Sequence, residues 1–348
     1  MKELKLALLG FGNVGQAFAR MILDYEDRIK DRYDYKIKVT AITTGSKGNL
    51  YNPEGIDLEL ALDDVAANGK FAGGHCEKWL TDMDSLTVVN EAEYDAIMEM
   101  TPLNIFTGEP AISHIRGAFA RGKHAVTANK GPIAWAFKDL KKEAKATGSG
   151  FFYETTVMDG TPVFNLVEHT LKLAEVTEVS GILNSTTNFI LEEMAAGGDY
   201  DDIIRRGREM GFIEADASMD IDGYDAAAKI TALLNVLMDA GITPDKVDRT
   251  GIGDITMADI EAAAGRGKVI KLLCSGQRLE DGTVKASVKP VEVDRTDMLA
   301  AVNSTTSIVS ITTDMMKKVS VVEHEPEIEQ TAYGVFGDML RVIEFIKA

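Results

Sequence analysis

The opening residues restrict the fold more than any other stretch of this chain. A short apolar run, residues 4–9, passes straight into Gly10-Phe11-Gly12-Asn13-Val14-Gly15, and a helical pattern follows at once. This is G-x-G-x-x-G set between a strand and a helix. Gly10 permits the tight turn, Gly12 lets the backbone approach a pyrophosphate, and Gly15 lets the helix pack closely on the strand. The helix start at Asn13 and Val14 offers unpaired N–H groups and a positive dipole end to phosphate. Such a unit belongs to an open, parallel, doubly wound sheet. The expected class is therefore α/β, with an N-terminal Rossmann-type dinucleotide-binding domain.

The second strand is expected over residues 36–43. It ends in Thr43-Thr44-Gly45-Ser46-Lys47, with no acid before Glu54. A carboxylate that reads the ribose of NAD normally sits at this strand end, whereas hydroxyls and a lysine suit a 2′-phosphate. NADP is favoured over NAD, which stays open. Two further strands, over residues 96–100 and 124–127, end at Thr101-Pro102 and at Ala128-Asn129-Lys130. Ligands collect beyond the carboxyl edge of parallel sheets. Thr101, Pro102 and Lys130 are thereby placed to meet the nicotinamide and the substrate.

A length of 348 residues suggests two domains. A glycine-rich exit at Gly148-Ser149-Gly150 divides a first domain, 1–148, from a second, 149–325, and a final helix over 326–348 is expected to return to the first. Residues 176–187 and 283–325 read as strand-rich, 188–211 and 225–240 as helical. The second domain is expected to be α+β, a mixed sheet with helices on one face that binds substrate and forms a dimer surface. The net charge of −18 argues against nucleic acid or an anionic membrane as partner. No apolar run approaches the roughly 18 residues of a membrane span. Cys76 and Cys274 stand far apart, without ligand spacing, so neither a disulfide framework nor a cysteine metal site is expected. A cytoplasmic chain without a cleavable leader is the expectation.

Residues 184–229 carry the candidate chemistry. Glu214, Asp216, Asp220, Asp222 and Asp225 lead to one lysine, Lys229, and the residues after it are almost wholly apolar. Lys229, Leu233 and Val236 share a helical face, where lysine is rare unless paired. From spacing alone, a solvated Asp225–Lys229 pair one turn apart is an equal account. His114 and His169 fall in helices and read as packing residues.

GFGNVGQ near the start, KHAVTANKG in the middle and GILNSTTNFILEEM…GFIEADASMDIDGYDAAAK together resemble the homoserine dehydrogenase family, as do IKLL and SVKPVEV further on. The resemblance implies reduction of aspartate 4-semialdehyde to homoserine with NAD(P)H, a step toward threonine and methionine. It implies Lys229 as proton donor with Asp225 as its partner, and Lys130 as the lysine of the family's ANK motif. Glu214, Asp220, Ser185 and Thr186 are implied in substrate binding. A loop for a monovalent cation such as sodium is implied at Glu154, with backbone ligands near Val157 and Asp159. The appended regulatory module of many members is not expected here, and a homodimer is.

Three segments depart from the family pattern. TTVMDGTP follows Glu154 where glycines are usual, so Met158 and Asp159 replace two of them. Ser185 replaces a glycine, and residues 323–327 replace a glycine-rich turn. Two rival readings therefore stand beside the first: a related enzyme acting on another amino-alcohol or amino-aldehyde, and a non-catalytic dinucleotide sensor. A phosphorylating semialdehyde dehydrogenase needs an activated cysteine, and neither Cys76 nor Cys274 is set at a helix start for that role.

Overall fold

A computed structural model describes residues 1–348 except Gly211, Phe212, Glu214 and Ala215. Two compact units make up the chain: Met1–Pro162 together with Glu327–Ala348, and Val163–Pro326.

The first unit runs β1 (Lys2–Leu9), α1 (Asn13–Asp24), α2 (Glu26–Tyr33), β2 (Tyr35–Thr43), β3 (Asn49–Tyr51), α3 (Leu58–Asn68), β4 (Leu80–Thr81), α4 (Ser85–Glu91), β5 (Ala96–Glu99), α5 (Ala111–Ala120), β6 (His124–Thr127), α6 (Lys130–Thr147) and β7 (Phe151–Phe152). Its sheet has the order β4-β3-β2-β1-β5-β6-β7. The five strands from β2 to β7 are parallel, and β3 and β4 add an antiparallel edge. Strand order reverses between β1 and β5, which is where such sheets hold their ligand. The register brings Thr43, Leu9, Glu99 and Thr127 level across the sheet. The segments that follow them therefore emerge side by side at the carboxyl edge. Residues 6–9 of β1 and 96–98 of β5 are buried because both sheet faces are covered, and they read as apolar runs for that reason.

The first unit extends past the exit expected at Gly148. β7 continues the sheet by pairing with β6, and the chain leaves after Pro162. Gly148 is instead the left-handed C-cap of α6 at φ 68°, a position where glycine carries no Cβ penalty.

The second unit comprises α7 (Phe164–Thr170), β8 (Val176–Ile182), α8 (Ser185–Ala195), α9 (Tyr200–Glu209), α10 (Ser218–Ile221), α11 (Tyr224–Met238), β9 (Asp248–Arg249), α12 (Met257–Gly265), β10 (Lys268–Arg278), β11 (Val284–Asp294), β12 (Ser307–Thr313) and β13 (Lys317–Glu323). Its sheet is ordered β13-β12-β8-β10-β11-β9, antiparallel apart from the β11–β9 pair. α8, α11 and α12 pack on its strands. Two element expectations need correction. The strand expected over 176–187 stops at Ile182, because Asn184 caps a helix that starts at Ser185. The helix expected over 188–211 is two helices, broken at Gly197-Gly198, with Asp199 capping the second.

The last helix, α13 (Ile328–Lys347), belongs to the first unit and packs on α1. It buries Ala332, Val335, Phe336, Met339, Val342 and Ile343 in the core that holds Leu4, Leu6 and Phe18. Among the described residues no helix is long and apolar enough to cross a membrane.

Candidate active site

The candidate residues fall into two sets, one in each unit. In the first, the glycines of the β1–α1 turn have three separate physical reasons. Gly10 sits at φ 106°, and a Cβ there would stand 2.4 Å from the Met100 carbonyl oxygen. At Gly15 a Cβ would come within 2.6 Å of the Gly10 oxygen, so only glycine allows the helix this close. Gly12 is different, since nothing lies within 4 Å of where its Cβ would be. The turn is thus tight beneath and open above, and α1 begins without a side-chain cap. Asn13 is exposed and Val14 half-buried at this helix start. Open space, free N–H groups and a dipole end fit a pyrophosphate.

The neighbouring strand ends form the rest of the edge. Thr43 is buried, and its hydroxyl is 2.7 Å from Ser85 Oγ. That leaves it little to offer a ribose. Thr44 Oγ1 donates to the Gly48 carbonyl at 2.9 Å and accepts from the Lys47 amide at 2.7 Å, which closes the 44–48 loop on itself. Ser46 is exposed in this loop and Lys47 half-buried. After β5, Thr101 is half-buried and Pro102 exposed. After β6, Asn129 caps α6, its Oδ1 accepting from the Gly131 amide at 2.9 Å, and Lys130 is the first helical residue.

In the second unit, Asn184 organises the acids. Its Oδ1 accepts from the Thr187 amide and the Thr187 hydroxyl, both at 2.9 Å. Its Nδ2 is thereby turned outward, donating to Asp220 Oδ1 at 2.6 Å and Asp225 Oδ2 at 3.0 Å. All four hydrogen-bonding sites of this buried amide are used, as buried amides require. Lys229 Nζ donates to the Leu183 carbonyl at 2.7 Å and lies 3.3 Å from Asp225 Oδ2. The lysine and Asp225 are mostly covered, at 19% and 16% side-chain exposure, so the pair is not a solvated surface one. Burial first, then the charge of Asp225, pushes the Asp220 carboxyl above the usual carboxylate range, against the opposing hydrogen bond from Asn184. Thr186 is buried beside Asp220, while Ser185 opens α8 half-buried. Glu214 lies outside the described residues. Cys274 is buried close by, and burial pushes its thiol up to about 12, away from the thiolate a nucleophile needs.

The segment after Glu154 belongs to the first unit. Glu154 is buried, and its amide donates to Asp338 Oδ2 of α13 at 2.8 Å. Val157 and Met158 are buried too. Asp159 adopts φ 43°, in the left-handed region that favours the glycine it replaces, and its carboxylate accepts from the Thr331 hydroxyl. Of the divergent stretch 323–327, Glu327 serves as the cap of α13 in a reciprocal pair with Gln330. Three structural features were not foreseen from sequence: the amide of Asn184, the buried Glu99 beneath Thr101, and Asp338. Each is a polar residue with at least one partner distant in the chain: Asp220 and Asp225 for Asn184, Thr127 for Glu99, and Glu154 for Asp338.

A dinucleotide cradle joined in one chain to an ammonium held among carboxylates is the equipment of an NAD(P)-dependent oxidoreductase. Comparison with known proteins gives the family. A family model described as homoserine dehydrogenase matches residues 162–340. The NAD(+)-dependent homoserine dehydrogenase of Pseudomonas canavaninivorans is 34% identical, over 98% of this chain and 97% of its own. The homoserine dehydrogenase of Methanocaldococcus jannaschii is 36% identical, over 98% and 99% respectively. A solved hyperthermophilic archaeal homoserine dehydrogenase in complex with NADPH is similar at a TM-score of 0.82 and 26% identity, covering 98% of this chain and 97% of that one. The chain belongs to the homoserine dehydrogenase family.

Proposed function

We propose that this chain interconverts L-homoserine and L-aspartate 4-semialdehyde, with Lys229 as the group that moves the proton. The observation that carries the reading is the setting of Lys229, gripped by the Leu183 carbonyl and Asp225 with Asp220 one amide away. The bound nicotinamide supplies or accepts the hydride. In the reductive direction, the Lys229 ammonium gives its proton to the aldehyde oxygen as negative charge grows there. Asp225 and the Leu183 carbonyl hold the ammonium in place. In the oxidative direction the same nitrogen takes the proton from the hydroxyl. Lys130, at the carboxyl edge of the first unit's sheet, is proposed as a cationic group beside the nicotinamide.

The substrate's own ammonium needs acidic partners. Asp220 and Asp225 place two carboxylates against one lysine, so the cluster has one negative charge to spare when all three are ionised. A substrate ammonium beside Asp220 offsets the burial and the Asp225 repulsion that together raise its pKa. Glu214 is proposed as the second acid, and Ser185 and Thr186 as neighbours of the substrate. For the coenzyme, the absence of a carboxylate at the end of β2 and the presence of Ser46 and Lys47 support NADP. The NAD(+)-dependent relative from Pseudomonas canavaninivorans supports NAD as the second reading. Glu154, with the backbone near Val157 and Asp159, is proposed to hold a monovalent cation, and the assembly is proposed to be a homodimer.

The test is absorbance at 340 nm with L-homoserine and either NADP or NAD. Saturable reduction is expected, faster with NADP. Lys229→Ala is expected to lower kcat by at least about a hundredfold, the usual scale of a general acid–base group, with the fold and coenzyme binding retained. Near-normal kcat in that variant would withdraw Lys229 as the proton carrier.

A further inference from the structure

Beneath the edge where Thr101 emerges, Glu99 is wholly buried at the end of β5, and donors converge on it. Its Oε1 accepts from the Thr101 amide at 3.3 Å and from the Thr101 hydroxyl, and lies 3.5 Å from His114 Nδ1. Its Oε2 accepts from Thr127 Oγ1 at 3.3 Å. The Thr127 oxygen also accepts from the Asn129 amide at 3.0 Å, and its one proton is shared between Glu99 and the Asn129 carbonyl, which lies at 3.4 Å. On the other side, Asn129 Nδ2 donates to the Thr101 carbonyl at 3.3 Å. Thr101 is thus held by Glu99 and by Asn129.

This arrangement fixes the polarity of Thr101. The Thr101 hydroxyl donates to Glu99 Oε1, and a threonine hydroxyl has one proton. With that proton committed to Glu99, the half-buried hydroxyl has only lone pairs to offer a ligand. We infer that Thr101 Oγ1 accepts a hydrogen bond from the carboxamide N–H of the nicotinamide, and that Glu99 is the positioning residue that makes it an acceptor. The inference rests on the proposed reading of this sheet edge as the nicotinamide site. A carboxamide carries a donor end and an acceptor end. An acceptor at this point pairs with the amino end and repels the carbonyl end, which selects one orientation of the carboxamide.

Equilibrium binding tests this without turnover. Titration calorimetry would compare the coenzyme with its 3-acetylpyridine analogue, in which a methyl replaces the amino group. The wild-type chain is expected to prefer the carboxamide by between about two- and tenfold, the range of one neutral hydrogen bond. Thr101→Val should erase that preference and Thr101→Ser should keep it. Glu99→Ala should reduce it, because the freed hydroxyl can then rotate; the ratio of affinities is read, which a general loss of packing would not change. Equal weakening of both ligands in Thr101→Val, or an unaltered preference, overturns the inference while leaving the dinucleotide reading intact. Failure of the wild-type chain to bind either ligand overturns both.

Discussion

Asp220 sits where a single protonation changes what the site can hold. Its carboxyl is raised by burial and by the charge of Asp225, so it takes up a proton at a higher pH than an ordinary aspartate does. The neutral form gives up the charge that would grip a substrate ammonium. As pH falls through this raised pKa, the KM for L-homoserine is expected to climb, with kcat less affected. Asp220→Asn should bind substrate weakly at every pH and lose that acid limb from its KM profile. A wild-type KM that stays level down to the ordinary carboxylate range would remove Asp220 from ammonium binding. Asp225 cannot stand in for it, because that carboxylate is already shared between Asn184 and Lys229.

At the scale of elements, the start of α8 does two tasks with one side chain. The oxygen of Asn184 caps the helix, and its nitrogen separates two carboxylates. Substitution can divide these tasks. Asn184→Ala loses both, and about 1 kcal/mol of stability is expected to go with the cap. Asn184→Asp restores a capping oxygen but sets a third carboxylate against Asp220 and Asp225. Thermal denaturation should then find Asn184→Asp closer to wild type than Asn184→Ala at acidic pH, while kcat/KM falls at least tenfold in both. Equal activity in Asn184→Asp and wild type would deny the amide its role. This duality also explains what sequence could tell. Gly10, Gly12 and Gly15 were legible because a local turn dictates all three, and the Asp225–Lys229 pair because one helical turn does. Asn184 to Asp220 spans 36 residues and Thr101 to Asn129 spans 28, and no local pattern announces such a pairing. The break at Gly197-Gly198 could have been read from its glycines. The end of β8 was harder to see, because Leu183 continues the apolar run.

The first unit is closed by a segment from the far end of the chain. α13 brings Asp338 to the Glu154 amide across 184 residues of sequence, and Arg341 lies one turn away at 3.3 Å. Burial pushes the Asp338 carboxyl up to about 7, more than the Arg341 guanidinium lowers it. The native state therefore keeps this proton at a pH where the unfolded chain, with an aspartate near 3.9, has released it. A carboxyl raised in this way adds stability that is whole below the unfolded pKa and is lost as pH rises toward 7. Over a gap of about three units the loss is on the order of 4 kcal/mol. Asp338→Asn cannot ionise, yet its Oδ1 can still accept from the Glu154 amide. Its stability relative to wild type should increase between pH 4 and pH 7 and level off above that, measured by denaturant unfolding at each pH. Parallel profiles for the two chains would mean that Asp338 is ionised in the native state throughout. The seam between α13 and the Glu154 loop would then be held as an ion pair with Arg341, without the neutral hydrogen bond inferred from its burial.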